Sequence, residues 1–134
     1  MSIVNRLGGI KMTVETKKLF IMVTTGPENP ELATVPFVMA TAAQAGDVEV
    51  VMGFQGNGSM LAVKFMSDHV SANGFPKLSE LIETYIEAGG KMYVCGPCVG
   101  SRQVNEEELI KGATIVGASS FVSEILSSTQ SLIY

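Results

Sequence analysis

The chain has 134 residues, 46% of them apolar and 16% charged, with a net charge of −4. That length suits one domain able to bury roughly two-thirds of its unfolded-chain surface, and the apolar share excludes a disordered chain. The acidic balance, with no cluster of Lys and Arg, speaks against nucleic-acid binding, which needs cations to displace counterions from phosphates. No apolar run approaches the roughly 18 residues that a membrane span requires.

In chain order, residues 1–16 are polar and broken by Gly8-Gly9, and are read as a loose N-terminal arm ahead of one α/β domain over 17–134. They lack the long apolar centre of a secretory signal, so a cytoplasmic location is expected, where thiols are kept reduced. Lys18 to Thr25 is a continuous apolar run bounded by Gly26-Pro27, the pattern of an inner strand covered on both faces. Asn29 and Pro30 then read as the cap and first position of a helix, with Glu31 at its positive end. Pro36 must kink that helix or delay its start, and Gly46 ends it.

Asp47 to Phe54 reads as a second strand, followed by the glycine-rich loop Gly53 to Ser59 and an apolar stretch, Met60 to Met66, of unassigned type. Residues 76–88 form the clearest helix. Leu78, Leu81, Ile82, Tyr85 and Ile86 fall on one face, and Gly89-Gly90 stops it. A strand over Lys91 to Val94 leads into Cys95. Asn105 to Glu108 resembles a capping box opening a short helix closed by Gly112. Ala113 to Val116 is a short strand, Ser119 or Ser120 caps a last helix, and Gln130 to Tyr134 forms a final edge strand. Strands alternating with helices in this way imply parallel βαβ units: an open, mostly parallel sheet of about five strands with helices on both faces. The low charge and eight methionines point to a further buried surface such as an oligomer interface.

Chemistry concentrates on Cys95-Gly96-Pro97-Cys98, the only two cysteines in the chain. Ligands of parallel sheets bind beyond the carboxyl ends of strands, and Cys95 falls at such an end. Gly96 leaves the backbone open to approach and Pro97 suits the first turn of a following helix. The positive end of that helix favours a thiolate at Cys95 or Cys98. Arg102, four residues after Cys98, adds a cation suited to an anionic substrate. A CxxC pair fits dithiol redox chemistry, half of a zinc site, sulfur transfer, or a pair of small buried hydrophobes. Zinc needs two further ligands and the only histidine is His69, so no metal is expected. The tetrapeptide equals that of thioredoxin, but thioredoxins carry theirs after an early strand and behind a tryptophan, and this chain has none.

Elsewhere, Gly53-Phe54-Gln55-Gly56-Asn57-Gly58 lacks the Gly-Lys-Ser/Thr of a P-loop and the dinucleotide fingerprint. It reads as a plain loop bordering the Cys95 site, and no cofactor is called for. His69 reads as solvated, and Glu106, Glu107 and Glu108 as the exposed start of a capped helix.

The passage Leu78 to Gly117 resembles the DsrE/DsrF-like proteins, relatives of the TusBCD sulfur-relay subunits. It carries a Leu-x-x-Leu-Ile helix, then Gly-Gly-Lys-Met-Tyr-Val-Cys, a small-residue turn, an Arg, Glu-Glu-Leu, and Gly-Ala-Thr-Ile-Val-Gly-Ala. The opening Lys-Lys-Leu-Phe-Ile-Met-Val-Thr-Thr-Gly also fits. The resemblance implies a flavodoxin-like three-layer sandwich assembled as trimers or hexamers. It also implies that Cys95 carries sulfane sulfur and that Arg102 orients thiosulfate-like anions. Cys98 has no counterpart in many members; as a second thiol it is suited to resolving a Cys95 persulfide. The expectation is a sulfur carrier or sulfurtransferase served by small sulfur compounds or persulfide-bearing proteins. A dithiol-disulfide oxidoreductase and a non-catalytic oligomeric subunit stand as alternatives.

Overall fold

The computed structural model describes residues 2–7, 10–15 and 17–134. Within the segment expected as a loose arm, β1 (Ser2–Leu7) and β2 (Ile10–Glu15) pair antiparallel in a two-stranded sheet, with Leu7 opposite Ile10. Residues 1, 8, 9 and 16 lie outside the described residues.

The main sheet has five strands, all parallel: β3 (Lys18–Val23), β4 (Glu49–Phe54), β5 (Lys91–Cys95), β6 (Ala113–Val116) and β7 (Gln130–Ile133). Their spatial order is β6-β5-β4-β3-β7. The chain starts inside the sheet, steps outward three times to β6, and then crosses back to the far edge for β7. The open α/β sheet read from the sequence is present, with β7 on the edge as expected. Its order, counted within the sheet as 4-3-2-1-5, is distinct from the 2-1-3-4-5 of flavodoxin itself.

This path decides which face each helix covers. Right-handed crossovers moving one way place their helices on one face, and the reversed crossover places its helix on the other. Accordingly α1 (Pro30–Ala45) and α2 (Leu78–Glu87) pack together over one face, where Ile21, Val23, Met52, Phe54, Met92 and Val94 meet Phe37 and Tyr85. The alternate residues Phe20, Met22 and Val51 face the other way and receive Phe121 of α4 (Ala118–Leu126). Phe37 stacks on Phe54 and meets Tyr85 edge-on, both with centroids 5.9 Å apart. The Phe20 and Phe121 rings meet edge-on at 6.4 Å.

Local signals account for most element ends. The Asn29 side chain caps α1 by accepting from the Leu32 amide at 3.1 Å, with Pro30 in the first turn. Pro36 neither delays nor interrupts this helix, which runs through it to Ala45. The Thr34 hydroxyl donates to the Pro30 carbonyl at 2.7 Å. The helix expected from Asn105 to Gly112 is a single 3-10 turn, Glu106–Glu108. Its capping box does form, with the Asn105 amide donating to Glu108 Oε1 at 2.9 Å. Gly56–Ala62 and Met66–His69 are also 3-10 segments.

Candidate functional site

Cys95 is the last residue of β5 and lies opposite Val116, the last residue of β6. Beyond this pair the two connections part. The short helix α3 (Gly96–Ser101) sends Val99 into the larger core, whereas α4 sends Phe121 into the smaller one. Adjacent parallel strands whose connections leave by opposite faces open a crevice at their carboxyl ends, the place where such sheets bind ligands. Strand alternation puts Cys95, like Tyr93, on the smaller-core side, half-buried against the Phe20 cluster. Gly96 lies close to β6: a Cβ there would stand 3.3 Å from Ile115 Cγ2.

The first turn of α3 brings Cys98 back over Cys95, because residues three apart share one side of a helix. The two are paired as a disulfide, with Cα atoms 5.3 Å apart. Cys95 sits at the N-cap position but makes no capping hydrogen bond to α3. The donor that does reach a cysteine sulfur comes from elsewhere: the Gly56 amide donates to Cys98 Sγ at 3.2 Å.

Gly56 belongs to the glycine-rich loop after β4, and that loop is held on several sides. The Gln55 amide donates to the Val23 carbonyl at 3.0 Å, and the Gly58 amide to the Thr24 carbonyl at 3.2 Å. The fully buried Ser59 hydroxyl donates to the Gly56 carbonyl at 2.6 Å. Gly58 packs so closely on the Val23 carbonyl that any Cβ would collide with backbone. Gly56 itself has φ +53°, a left-handed conformation that glycine adopts without steric cost.

Arg102 ends α3 and is exposed. Its Nη1 donates to the Cys98 carbonyl at 3.1 Å and its Nε to Asn57 Oδ1 at 3.4 Å. Asn57 Nδ2 in turn donates to both Glu28 carboxylate oxygens at 3.0 Å. The same carboxylate accepts from the Gly26 amide at 2.5 and 3.1 Å. Three segments far apart in sequence are thus tied together beside Cys98. Sequence reasoning placed the glycine loop next to the cysteines but missed Asn57 and Glu28. Nothing local marks either one, since Glu28 and Asn57 are 29 positions apart.

His69 ends a 3-10 segment as an exposed residue, and Glu106, Glu107 and Glu108 are exposed as well; none of the four is brought to the cysteines. Next to the crevice, Tyr93, Val116, Ser119 and Ser123 line a shallow cleft of about 440 Å³. Among the described residues no three His, Cys, Asp or Glu side chains gather in a metal-holding cluster, and no helix is long and apolar enough to cross a membrane.

These features define an open parallel α/β domain with a disulfide-linked cysteine pair where its sheet connections diverge. The model of the DsrE/DsrF-like family matches residues 17–132, and the chain belongs to that family. Among curated proteins it is similar to the uncharacterised MJ0760 of Methanocaldococcus jannaschii, at 36% identity over 106 residues, 79% of this chain. It spans only 38% of that relative's length. It is 32% identical to MJ0989 of the same organism, covering 73% of this chain and 82% of the relative. Among solved structures, the ychN protein from E. coli superposes with a TM-score of 0.76 at 14% identity, covering 89% of this chain and all of that one. MTH1491 from Methanobacterium thermoautotrophicum, a protein of unknown function, superposes at 0.64 with 10% identity, covering 88% and 99%. At such identities the likeness is one of fold.

Proposed function

We propose that this protein is a cytoplasmic sulfur carrier or sulfurtransferase in which Cys95 takes up sulfane sulfur and Cys98 is the resolving thiol. The observation that carries this reading is the position of Cys95 at the crevice with a second sulfur in bonding reach. Membership of the DsrE/DsrF-like family supports it. In the loading step the Cys95 thiolate attacks the terminal sulfur of a persulfide or polysulfide. The donor's S–S bond breaks, its thiolate leaves, and Cys95 becomes a persulfide. In the release step the Cys98 thiolate attacks Cys95 Sγ. The bond to the outer sulfur breaks, that sulfur departs as hydrosulfide, and a Cys95–Cys98 disulfide remains. The two electrons that reduce the sulfur come from the two thiols, and an external thiol reductant restores them. Gly96 keeps the approach open, and Arg102 supplies a positive charge for anionic sulfur compounds.

A second reading, dithiol-disulfide exchange without bound sulfur, is favoured by one observation, the pairing of the two cysteines. Intact-mass spectrometry after incubation with polysulfide separates the two. A gain of about 32 mass units on the Cys98→Ser variant, where Cys95 is the one thiol left, supports the carrier. Wild type that gains no sulfur and only loses about two mass units as the thiols pair supports dithiol chemistry. No change in either protein leaves a non-catalytic subunit. We further take the working form to be a homo-oligomer, a trimer or hexamer, in keeping with the outward-facing Val122, Leu126 and Ile133.

A further inference from the structure

We propose that the Gly56 backbone amide holds Cys98 as a thiolate, with Asn57 and Glu28 as positioning residues, so that Cys98 is the attacking sulfur of the pair. The inference rests on the reading of Cys98 as the resolving thiol and names what equips it for that step. Among the described residues, Cys98 Sγ is the one of the two cysteine sulfurs that receives a backbone N–H, from Gly56 at 3.2 Å. A hydrogen bond to a charged acceptor is roughly twice as strong as one between neutral groups, so a fixed donor favours the thiolate over the thiol.

The amide is a fixed donor because its loop is anchored independently of the cysteines. Ser59 holds the Gly56 carbonyl from inside the core, and the Gln55 and Gly58 amides are bonded to the end of β3 and the residue beyond it. On the solvent side, Glu28 grips Asn57 and the Gly26 amide together, and Asn57 in turn accepts from Arg102. Reduction of the disulfide breaks none of these bonds, so the donor stays in place when Cys98 becomes free. Two charged groups belong to the hydrogen-bond network that holds the loop and α3 together. The Arg102 guanidinium, bonded to the carbonyl of Cys98 itself, favours the anion. The Glu28 carboxylate opposes it but is occupied by the Asn57 and Gly26 donors.

The arrangement gives the release step its direction. An anionic Cys98 attacks Cys95 Sγ, a new S–S bond forms, and the outer sulfur leaves as hydrosulfide with the electron pair of the broken bond. Cys95, packed half-buried against the Phe20 cluster, is the sulfur attacked.

The test needs no sulfur donor, so its failure is separate from failure of the carrier reading. In the reduced Cys95→Ser variant, Cys98 is expected to react with iodoacetamide at pH 7 about tenfold faster than Cys95 does in Cys98→Ser. In the same Cys95→Ser protein, the Gly56 amide proton resonance is expected to shift with pH at the midpoint of the alkylation profile. Adding Asn57→Ala, which cuts the tie of the loop to Glu28 and Arg102, should slow Cys98 alkylation several-fold and raise that midpoint while the remaining amide spectrum stays dispersed. A Gly56 resonance that does not follow Cys98 ionisation overturns the proposal. So does a Cys95 thiol that reacts as fast as Cys98, or an alkylation profile unmoved by Asn57→Ala in folded protein.

Discussion

Tyr85 shows how one side chain can serve two structural layers. Its ring is fully buried between α1 and the sheet, and its hydroxyl donates to the Lys91 carbonyl at 2.6 Å and the Val50 carbonyl at 3.2 Å. Burial pushes its phenol well above tyrosine's ordinary range, against a smaller opposing pull from the backbone at Met52 and Lys91. A group that ionises later in the folded state than in the unfolded one stabilises the fold fully below its unfolded value. That contribution is lost as pH rises beyond about 10, at up to ~1.4 kcal/mol per pH unit. Tyr85→Phe is therefore expected to cost about 1–2 kcal/mol near neutral pH, by leaving two buried carbonyls a donor short. It should also flatten the alkaline fall in stability. Urea unfolding of both proteins between pH 8 and 11 measures the two effects together; parallel curves would count against this role.

The helical face that includes Tyr85 was readable from periodicity, because a half-exposed helix must repeat its apolar residues every three or four positions. The partners of Tyr85 were not readable. Val50 and Lys91 lie on different strands, and only sheet registration brings their carbonyls to one hydroxyl.

Among the elements, α4 carries the most weight for its size. It is nine residues long, and Phe121 is its one buried residue, seated on Phe20, Met22 and Val51. Gly53 of β4 makes room for that ring, since a Cβ there would stand 2.7 Å from Phe121 Cε1 and 2.8 Å from Phe20 Cζ. Phe121→Ala should cost about 3–5 kcal/mol and Gly53→Ala about 1–3 kcal/mol by overpacking. Thermal melts of the two variants check this; a melt for Phe121→Ala equal to wild type would mean that α4 is not held by its aromatic contact. Lys18 braces the same helix through an ion pair to Glu124 and a 2.8 Å hydrogen bond to Ser127 Oγ.

Sequence signals at this scale worked where the device was local. Asn29-Pro30 marked the start of α1, and Asn105 with Glu108 marked a capping box. They misled on length at Glu106–Glu108, because a cap signals where a turn begins but not whether packing extends it. Nearer the N-terminus, Ile10, Met12 and Val14 alternate with Lys11, Thr13 and Glu15, a strand pattern that the polar, glycine-broken composition of residues 1–16 masks in the sequence.

On the scale of the molecule, the two sheet faces are unequally covered. α1 and α2 fill one, while α4 leaves Val122 at 53%, Leu126 at 81% and Ile133 at 77% exposure on the other. An apolar groove of about 320 Å³ runs between Phe121 and Ile133 beside them. If the proposed oligomer uses this face, the double variant Leu126→Glu, Ile133→Lys should run as a smaller species than wild type in light scattering, with its circular dichroism spectrum retained. An unchanged mass would place the interface elsewhere or make the protein a monomer.

The sequence by itself determined the α/β class, the inner strands, the two long helices and the position of Cys95 at a strand end. All of these follow from periodicity, chain-breaking residues and short-range caps, which act over a few positions. Strand order was decided only by the tertiary structure, because parallel strands are joined by long crossovers whose direction no local signal records. The same holds for the site. Cys95 and Cys98 meet through one helical turn, but Gly56, Asn57 and Glu28, gathered beside Cys98, lie 41 to 70 positions before it in the chain. They gather there only because β3, β4 and β5 lie side by side with their carboxyl ends at one edge.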